Sequence, residues 1–290
     1  MFTGAMVALI TPFQDGKLDF RTLDELIDFQ LENGIDGIVP VGTTGECPTL
    51  SHEEHKQVIE RVVKAVRGKV PVIAGAGSNS TAEAIELAAF SKKVGADATL
   101  QVDPYYNKPT QEGFYQHFKA IAEEVDLPIV LYDIPSRCGA GMTPDTIVRL
   151  AEIENIVAIK DATGKMDHVS DVATRCDLTI LSGDDSLTLP IASVGGKGVV
   201  SVVANIVPAD VKAMTDLILE GDLVSARQWH NKLFALCRNL LSLATNPIPI
   251  KAAVSILNLA SEELRLPMTP MDEDKKAILR QTLEDYGLLK

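Results

Sequence analysis

Lys160 closes the run Ile156-Val157-Ala158-Ile159 and is followed by Asp161, so a short apolar stretch delivers an amine and a carboxylate at one end. Four aliphatic residues in succession read as a strand buried on both faces. A lysine at the carboxyl end of such a strand has two readings. Its stem can lie along the core while the ammonium reaches water. Alternatively, partial desolvation lowers the pKa and makes the amine a nucleophile that forms a Schiff base with a carbonyl. The stretch alone favours the first reading, so the rest of the chain must decide.

Gly42-Thr43-Thr44-Gly45-Glu46 combines glycines, which let backbone N–H groups approach a ligand, with two hydroxyls able to donate to a carboxylate or phosphate. A tight turn with threonines capping local backbone reads the same way. No Gly-Lys-Ser/Thr follows, so it is not a Walker loop. Tyr132 ends the run Ile129-Val130-Leu131; its phenol can shuttle protons beside an amine, or simply fill the end of a barrel. Arg137, in a proline-bearing loop, carries a planar fork suited to a substrate carboxylate. Tyr105-Tyr106 reads as an exposed aromatic pair, a subunit contact or a site wall. His52 and His55 lie three apart at a helix start. Without a convincing third ligand for a metal, a polar or effector surface is expected there.

No Gly-x-Gly-x-x-Gly follows a strand, no Cys/His cluster has zinc spacing, and no nucleophile-elbow serine occurs. Lys160 is left as the group best able to capture an electrophile. A Schiff base requires neither metal nor organic cofactor, because the iminium itself withdraws electrons from the adjacent carbon. The residues therefore point to a lysine-dependent aldolase or lyase acting on a small 2-oxo acid.

Bringing these side chains together requires strand ends that converge. Apolar, β-branched runs occur at Met6 to Ile10, Gly37 to Val41, Val70 to Ala74, Ala98 to Val102, Ile129 to Tyr132, Val157 to Lys160, Thr179 to Ser182 and Val199 to Val203, with helical patterns between them. Phe20 to Glu32 follows Asp19, and Ser51-His52-Glu53-Glu54 has capping-box spacing. Eight β-then-α units predict an α/β fold, a closed (β/α)8 TIM barrel over residues 1–222 with its chemistry at the carboxyl ends of the strands. A C-terminal helical extension over 223–290 follows, with helices at Leu223 to Leu243, Ile250 to Leu259 and Glu273 to Tyr286. Asn246-Pro247-Ile248-Pro249 is expected to break the chain between the first two of these.

Of 290 residues, 46% are hydrophobic and 23% charged, which fills a large core and excludes general disorder. A net charge of −13 leaves no basic stripe, so neither nucleic acid nor an anionic membrane is an expected partner. Met1 to Ile10 has no basic n-region and soon meets Pro12, unlike a signal peptide, and no apolar run reaches membrane-spanning length. Cys47, Cys138, Cys176 and Cys237 are widely spaced with no Cys-x-x-Cys pair. A cytoplasmic location is expected.

Gly42-Thr43-Thr44-Gly45-Glu46, Tyr132-Asp133-Ile134-Pro135-Ser136-Arg137, Ile159-Lys160-Asp161-Ala162-Thr163-Gly164 and Asn246-Pro247-Ile248-Pro249-Ile250-Lys251 together resemble the pyruvate-dependent class I aldolases, the N-acetylneuraminate lyase family. The resemblance covers essentially the whole chain. It is strongest to the dihydrodipicolinate synthase branch, whose pattern Pro104-Tyr105-Tyr106-Asn107, Ser182-Gly183-Asp184-Asp185 and Leu266-Pro267-Met268-Thr269-Pro270 also match. It implies condensation of pyruvate with L-aspartate 4-semialdehyde to 4-hydroxy-tetrahydrodipicolinate, in bacterial lysine and diaminopimelate biosynthesis, by a homotetramer built as a dimer of dimers. Lys160 would form the Schiff base. Tyr132, Thr43 and Tyr106 match the family's proton relay, with Tyr106 supplied by a neighbouring subunit. Thr44 would help hold the pyruvate carboxylate, and Arg137 the semialdehyde carboxylate.

The resemblance also matches His52, His55, Asn79, Glu83 and Tyr105 to positions where lysine-sensitive members bind L-lysine as a feedback inhibitor. Cys47-Pro48 replaces a common Ser-Ala, while Asp133 and Asp161 stand where Asn and Glu are often found. The shorter Asp161 is expected to alter the support of the amine. Sialic-acid or 2-keto-3-deoxy-sugar-acid lyases of the same family are the alternative, disfavoured by the Ser136-Arg137 pair. A non-catalytic barrel is disfavoured by the joint presence of Lys160, Tyr132, Thr43, Tyr106 and Arg137.

Overall fold

Eight parallel strands form the framework: β1 (Gly4–Ala8), β2 (Gly37–Val39), β3 (Ile73–Gly75), β4 (Ala98–Val102), β5 (Ile129–Asp133), β6 (Ile156–Asp161), β7 (Thr179–Ser182) and β8 (Gly198–Ser201). The structure, a computed structural model, describes residues 2–289, so residues 1 and 290, the outer ends of the two expected regions, lie outside the described residues. The sheet order is β2-β1-β8-β7-β6-β5-β4-β3, and a parallel bridge between Ile38 and Val72 closes the ring. The chain is a (β/α)8 barrel, as its alternation predicts. Every residue of β1, β2, β3, β5 and β8 is buried, which is why these segments read as continuous apolar runs.

Strand alternation divides the apolar residues into layers. Met6, Val39, Ile73, Leu100, Val130, Ala158, Leu181 and Val200 fill the barrel. Residues of the opposite parity, such as Leu131, Ile159 and Ile180, pack outward against the helices. The helices are α1 (Phe20–Glu32), α2 (His52–Val66), α3 (Thr81–Val94), α4 (Gln111–Glu124), α5 (Pro144–Ala151), α6 (Met166–Arg175), α7 (Thr188–Ser193) and α8 (Pro208–Glu220). After them come α9 (Leu223–Ser242), α10 (Ile248–Ile256) and α11 (Glu273–Tyr286). Asp19 caps α1 by accepting from Thr22 N at 3.0 Å, and Ser51 and Glu54 form a reciprocal capping box on α2.

Several boundaries differ from the sequence reading, for physical reasons. The first strand starts at Gly4, not Met6, because Gly4 N already pairs with Lys197 O at 2.9 Å. The third begins after Pro71, which has no N–H for the ladder. Leu9, Ile10, Val202 and Val203 extend two of the apolar runs beyond their strands and stay buried, the first three in loops and Val203 at the start of a 3-10 turn, Val203–Asn205. A small hairpin, Phe13–Gln14 with Lys17–Leu18, turns through Asp15-Gly16, a dipeptide that does signal a hairpin. Helix α10 starts at Ile248, so Pro249 sits in its first turn, where its missing N–H has no intrahelical partner to lose. No helix among the described residues is long and apolar enough to cross a membrane.

Candidate active site

Tyr132 and Lys160 are register partners on the parallel strands β5 and β6. Equal parity sends both side chains to the inner face at the carboxyl end of the barrel. Lys160 Nζ lies 4.0 Å from the centre of the Tyr132 ring, and both residues are buried. Burial pushes the Lys160 amine down to about 8; Asp184 and Asp185 oppose that shift and Arg137 adds to it. Roughly a tenth of the amine is then neutral at pH 7, far more than for a solvated lysine. Burial pushes the Tyr132 phenol up, opposed by the Thr43 hydroxyl and by Arg137, so it stays protonated near neutrality as a donor.

These groups open into a cavity of about 550 Å³ lined by Thr43, Thr44, Tyr132, Arg137, Lys160 and Asn246, among others. Asn246 joins the two expected carboxylate binders. Its Nδ2 donates to Thr44 Oγ1 at 3.0 Å, and its backbone carbonyl accepts from Arg137 Nη2 at 2.9 Å. The Thr44 hydroxyl, having accepted one bond, keeps its own proton for a ligand. Between β2 and this loop, Val41 is held at φ 48°, a conformation costly for a β-branched residue. It is tolerated because Gly75 packs against it; a Cβ there would come within 2.3 Å of Val41 O.

The end of the same loop is bound to the C-terminal helices. Glu46 and Lys251 form a fully buried ion pair, Arg265 N donates to Glu46 Oε2 at 3.1 Å, and Lys251 Nζ donates to Glu263 O at 2.7 Å. Residues more than 200 positions away therefore fix the Thr43-Thr44 turn.

Not every expected site residue joins this cavity. Tyr106 projects into solvent, 90% exposed at φ 72°, outside its own chain's pocket. His52, Glu83, Asn79 and Tyr105 form a separate group: His52 Nε2 meets Glu83 Oε1 at 2.5 Å, and Asn79 Nδ2 donates to Tyr105 O at 3.0 Å. Ser78 links the halves through its hydroxyl, which donates to Glu83. His55 differs from the expectation of a polar face. Its ring is buried and its Nε2 meets Gly75 O at 2.7 Å, because helical spacing turns it toward the barrel one turn after the exposed His52.

Asp161 also differs from expectation. Strand alternation turns it outward, away from the amine, where Oδ1 accepts from Thr163 N and Oγ1 at 3.0 and 2.8 Å and Oδ2 meets His168 Nδ1 at 2.9 Å. The carboxylates acting on Lys160 are Asp184 and Asp185 instead. Asp185 is in turn fixed by Ser201 Oγ and by Val202 N at 2.9 Å. Sequence reasoning found Ser182-Gly183-Asp184-Asp185 as a motif without a role. It missed Asn246 as a site residue, since its contact to Arg137 runs through a backbone carbonyl that carries no side-chain signature.

A buried amine of lowered pKa, stacked on a tyrosine at the mouth of a (β/α)8 barrel, defines a lyase of the Schiff-base-forming class I aldolase type. The chain belongs to the dihydrodipicolinate synthetase family, whose model matches residues 1–286. It is 53% identical over 290 residues to the 4-hydroxy-tetrahydrodipicolinate synthase of Methanocaldococcus jannaschii, covering all of both chains. Among solved structures, it superimposes on the chloride-inhibited dihydrodipicolinate synthase of Acinetobacter baumannii complexed with pyruvate at TM-score 0.97, with 44% identity over 100% of both chains. It matches the lysine-bound enzyme of Cyanidioschyzon merolae at TM-score 0.95, with 42% identity over 99% of both.

Proposed function

We propose that the chain condenses pyruvate with L-aspartate 4-semialdehyde to give 4-hydroxy-tetrahydrodipicolinate, in lysine and diaminopimelate biosynthesis. The observation that carries this reading is the Lys160 amine, buried and lowered to about 8 beside Tyr132. The neutral amine adds to the pyruvate keto carbon; loss of water leaves an iminium, and loss of a methyl proton leaves an enamine. Its terminal carbon forms the new C–C bond to the aldehyde carbon, whose oxygen takes a proton to become the hydroxyl. The substrate's own amine then attacks the iminium carbon, closing the ring and releasing Lys160.

Tyr132, Thr43 and Tyr106 move the protons of these steps, with Tyr106 reaching the site from a neighbouring subunit of a homotetramer; its 90% exposure within one chain supports this. Thr44 and its backbone hold the pyruvate carboxylate, and Arg137 the semialdehyde carboxylate. The barrel, residues 1–222, supplies the reacting groups, and the helical region 223–290 fixes the loop that binds pyruvate. His52, Asn79, Glu83 and Tyr105 form an L-lysine feedback site, with the buried His55 behind them, a reading supported by the lysine-bound relative. The enzyme works in the cytoplasm.

Incubation with pyruvate and borohydride tests the reading. The protein should gain the mass of one reduced pyruvate on Lys160, and labelling that survives Lys160→Ala overturns the assignment.

A further inference from the structure

Behind the reacting pair, on the outer face of the same strand ends, lies a second set of ionisable groups. Asp103 follows β4, Asp133 ends β5 and Asp161 ends β6; all three side chains are buried, the first two completely. The backbone is continuous across them: Asp103 N donates to Tyr132 O at 3.0 Å and Ala162 N to Asp133 O at 2.9 Å. Asp103 and Asp133 each follow one of the register partners Val102 and Tyr132 on these adjacent strands, so equal parity sets their carboxyl groups side by side on the outer face. All four of their carboxyl oxygens are buried, and none has a hydrogen-bond partner among the described residues. Two ionised carboxylates so placed would repel in a medium that screens poorly, whereas one proton between them makes one a donor and the other an acceptor.

His168, on α6, continues the network. Its Nδ1 meets Asp161 Oδ2 at 2.9 Å, and its Nε2 meets Met142 O at 3.2 Å and lies 3.6 Å from Asp133 Oδ2. A backbone carbonyl only accepts, so Nε2 carries a proton; a carboxylate only accepts, so Nδ1 carries one too, and the ring is an imidazolium.

The structure assigns to Asp103, Asp133, Asp161 and His168 a positioning network, in which a proton shared by Asp103 and Asp133 and an imidazolium at His168 tie three strand ends to α6 and hold Tyr132 and Lys160 in register. This deepens the catalytic reading and rests on Lys160 being the reacting amine. The titratable groups facing the pair are Asp161, His168 and Cys138, whose Sγ donates to Asp103 O at 3.3 Å. Burial pushes that thiol up to about 12, so it stays neutral. Burial raises both Asp103 and Asp133 above the usual carboxylate range. The bond to Asp161 raises His168.

The signs agree. Carboxyl groups with raised folded pKa values lose stabilisation as pH rises from the ordinary carboxyl range through those values. A raised imidazole contributes fully below its ordinary value and is lost as pH rises through its folded one. Both halves of the network thus loosen on the alkaline side. Asp103→Asn supplies a permanent N–H donor to the Asp133 carboxylate in place of the shared proton.

Infrared spectroscopy of the substrate-free enzyme at neutral pH tests the proton. The carbonyl stretch of a protonated carboxylic acid should be present in the wild type and absent from Asp103→Asn and from Asp133→Asn. Steady-state kinetics test the positioning: Asp103→Asn should keep at least about half of kcat, whereas Asp103→Ala should lose about tenfold in kcat with pyruvate KM changed less than about threefold. Absence of the acid band in the wild type, or wild-type kcat in Asp103→Ala, overturns the proposal. Should Asp103→Ala fail to fold, Asp133→Asn decides, since a band or a melting curve at alkaline pH identical to wild type also overturns it. The band is read without substrate, so its failure is distinct from a failure of pyruvate to label Lys160.

Discussion

The Lys160 amine sits over the Tyr132 ring, 4.0 Å from its centre, on the adjacent strand. A cation over an aromatic face gains about 0.5–2 kcal/mol, which favours the charged amine. The amine is nevertheless lowered to about 8, so loss of water outweighs both the ring and the Asp184 and Asp185 carboxylates. The ring therefore offsets only part of the cost of burying the ammonium, which still predominates at pH 7. It walls off the amine from water and keeps a protonated phenol in the same cavity.

Capture of pyruvate should follow the neutral amine. The initial rate of borohydride trapping is expected to rise with pH and level off above about 8, where Lys160 becomes mostly neutral. A rate still climbing toward about 10.4, the ordinary lysine value, contradicts a desolvated amine.

The same burial carries a stability cost. A base whose folded pKa is depressed penalises the fold at pH values below that pKa, and the penalty is relieved as pH rises from about 8 toward its unfolded value. Lys160→Met, similar in volume and uncharged, should abolish turnover and raise stability at pH 7 by up to about 3 kcal/mol. Denaturant titrations at neutral and alkaline pH check this, since an equal gain at both would mean that the charge is not the cause.

Much of this site was legible because its chemistry sits where patterns end. Lys160 and Tyr132 each close an apolar run, and Thr43, Thr44 and Arg137 lie in the loops that follow strands. What was not legible depends on parity and on distant segments. Asp161 adjoins Lys160 in sequence yet belongs to the other face of the strand. His55 lies three residues from exposed His52 but turns inward. Asn246 is 109 residues from Arg137, and nothing local to either announces the bond between them.

Asn246 should therefore be felt in binding. Asn246→Ala removes the donor that orients the Thr44 hydroxyl, a hydrogen bond worth about 0.5–1.5 kcal/mol. Pyruvate KM is expected to rise several-fold with a smaller change in kcat. An unchanged KM means that Thr44 orients itself without help.

Arg137 offers a test of the second substrate alone. Arg137→Lys keeps the charge and loses the planar fork. The variant should label Lys160 with pyruvate normally but lose most of its kcat/KM for aspartate semialdehyde, and a panel of aldehydes should show its preference flattened. A wild-type preference for a sugar aldehyde would move the enzyme to another branch of the family.

The Glu46–Lys251 pair separates a structural anchor from the chemistry it supports. Both side chains are fully buried, and Lys251 also lies 4.2 Å from the centre of the Phe13 ring. Removing one partner leaves a buried charge without compensation, which costs about 3–5 kcal/mol, whereas replacing both with neutral groups of similar volume can be close to neutral. Lys251→Met alone should strongly lower the melting temperature, and adding Glu46→Gln should restore much of it. The double variant still lacks the tie that holds the loop, so pyruvate KM should remain raised after stability returns. Recovery of both together would show that the pair acts only through the fold, and an additive loss of stability would show that the two charges are not coupled.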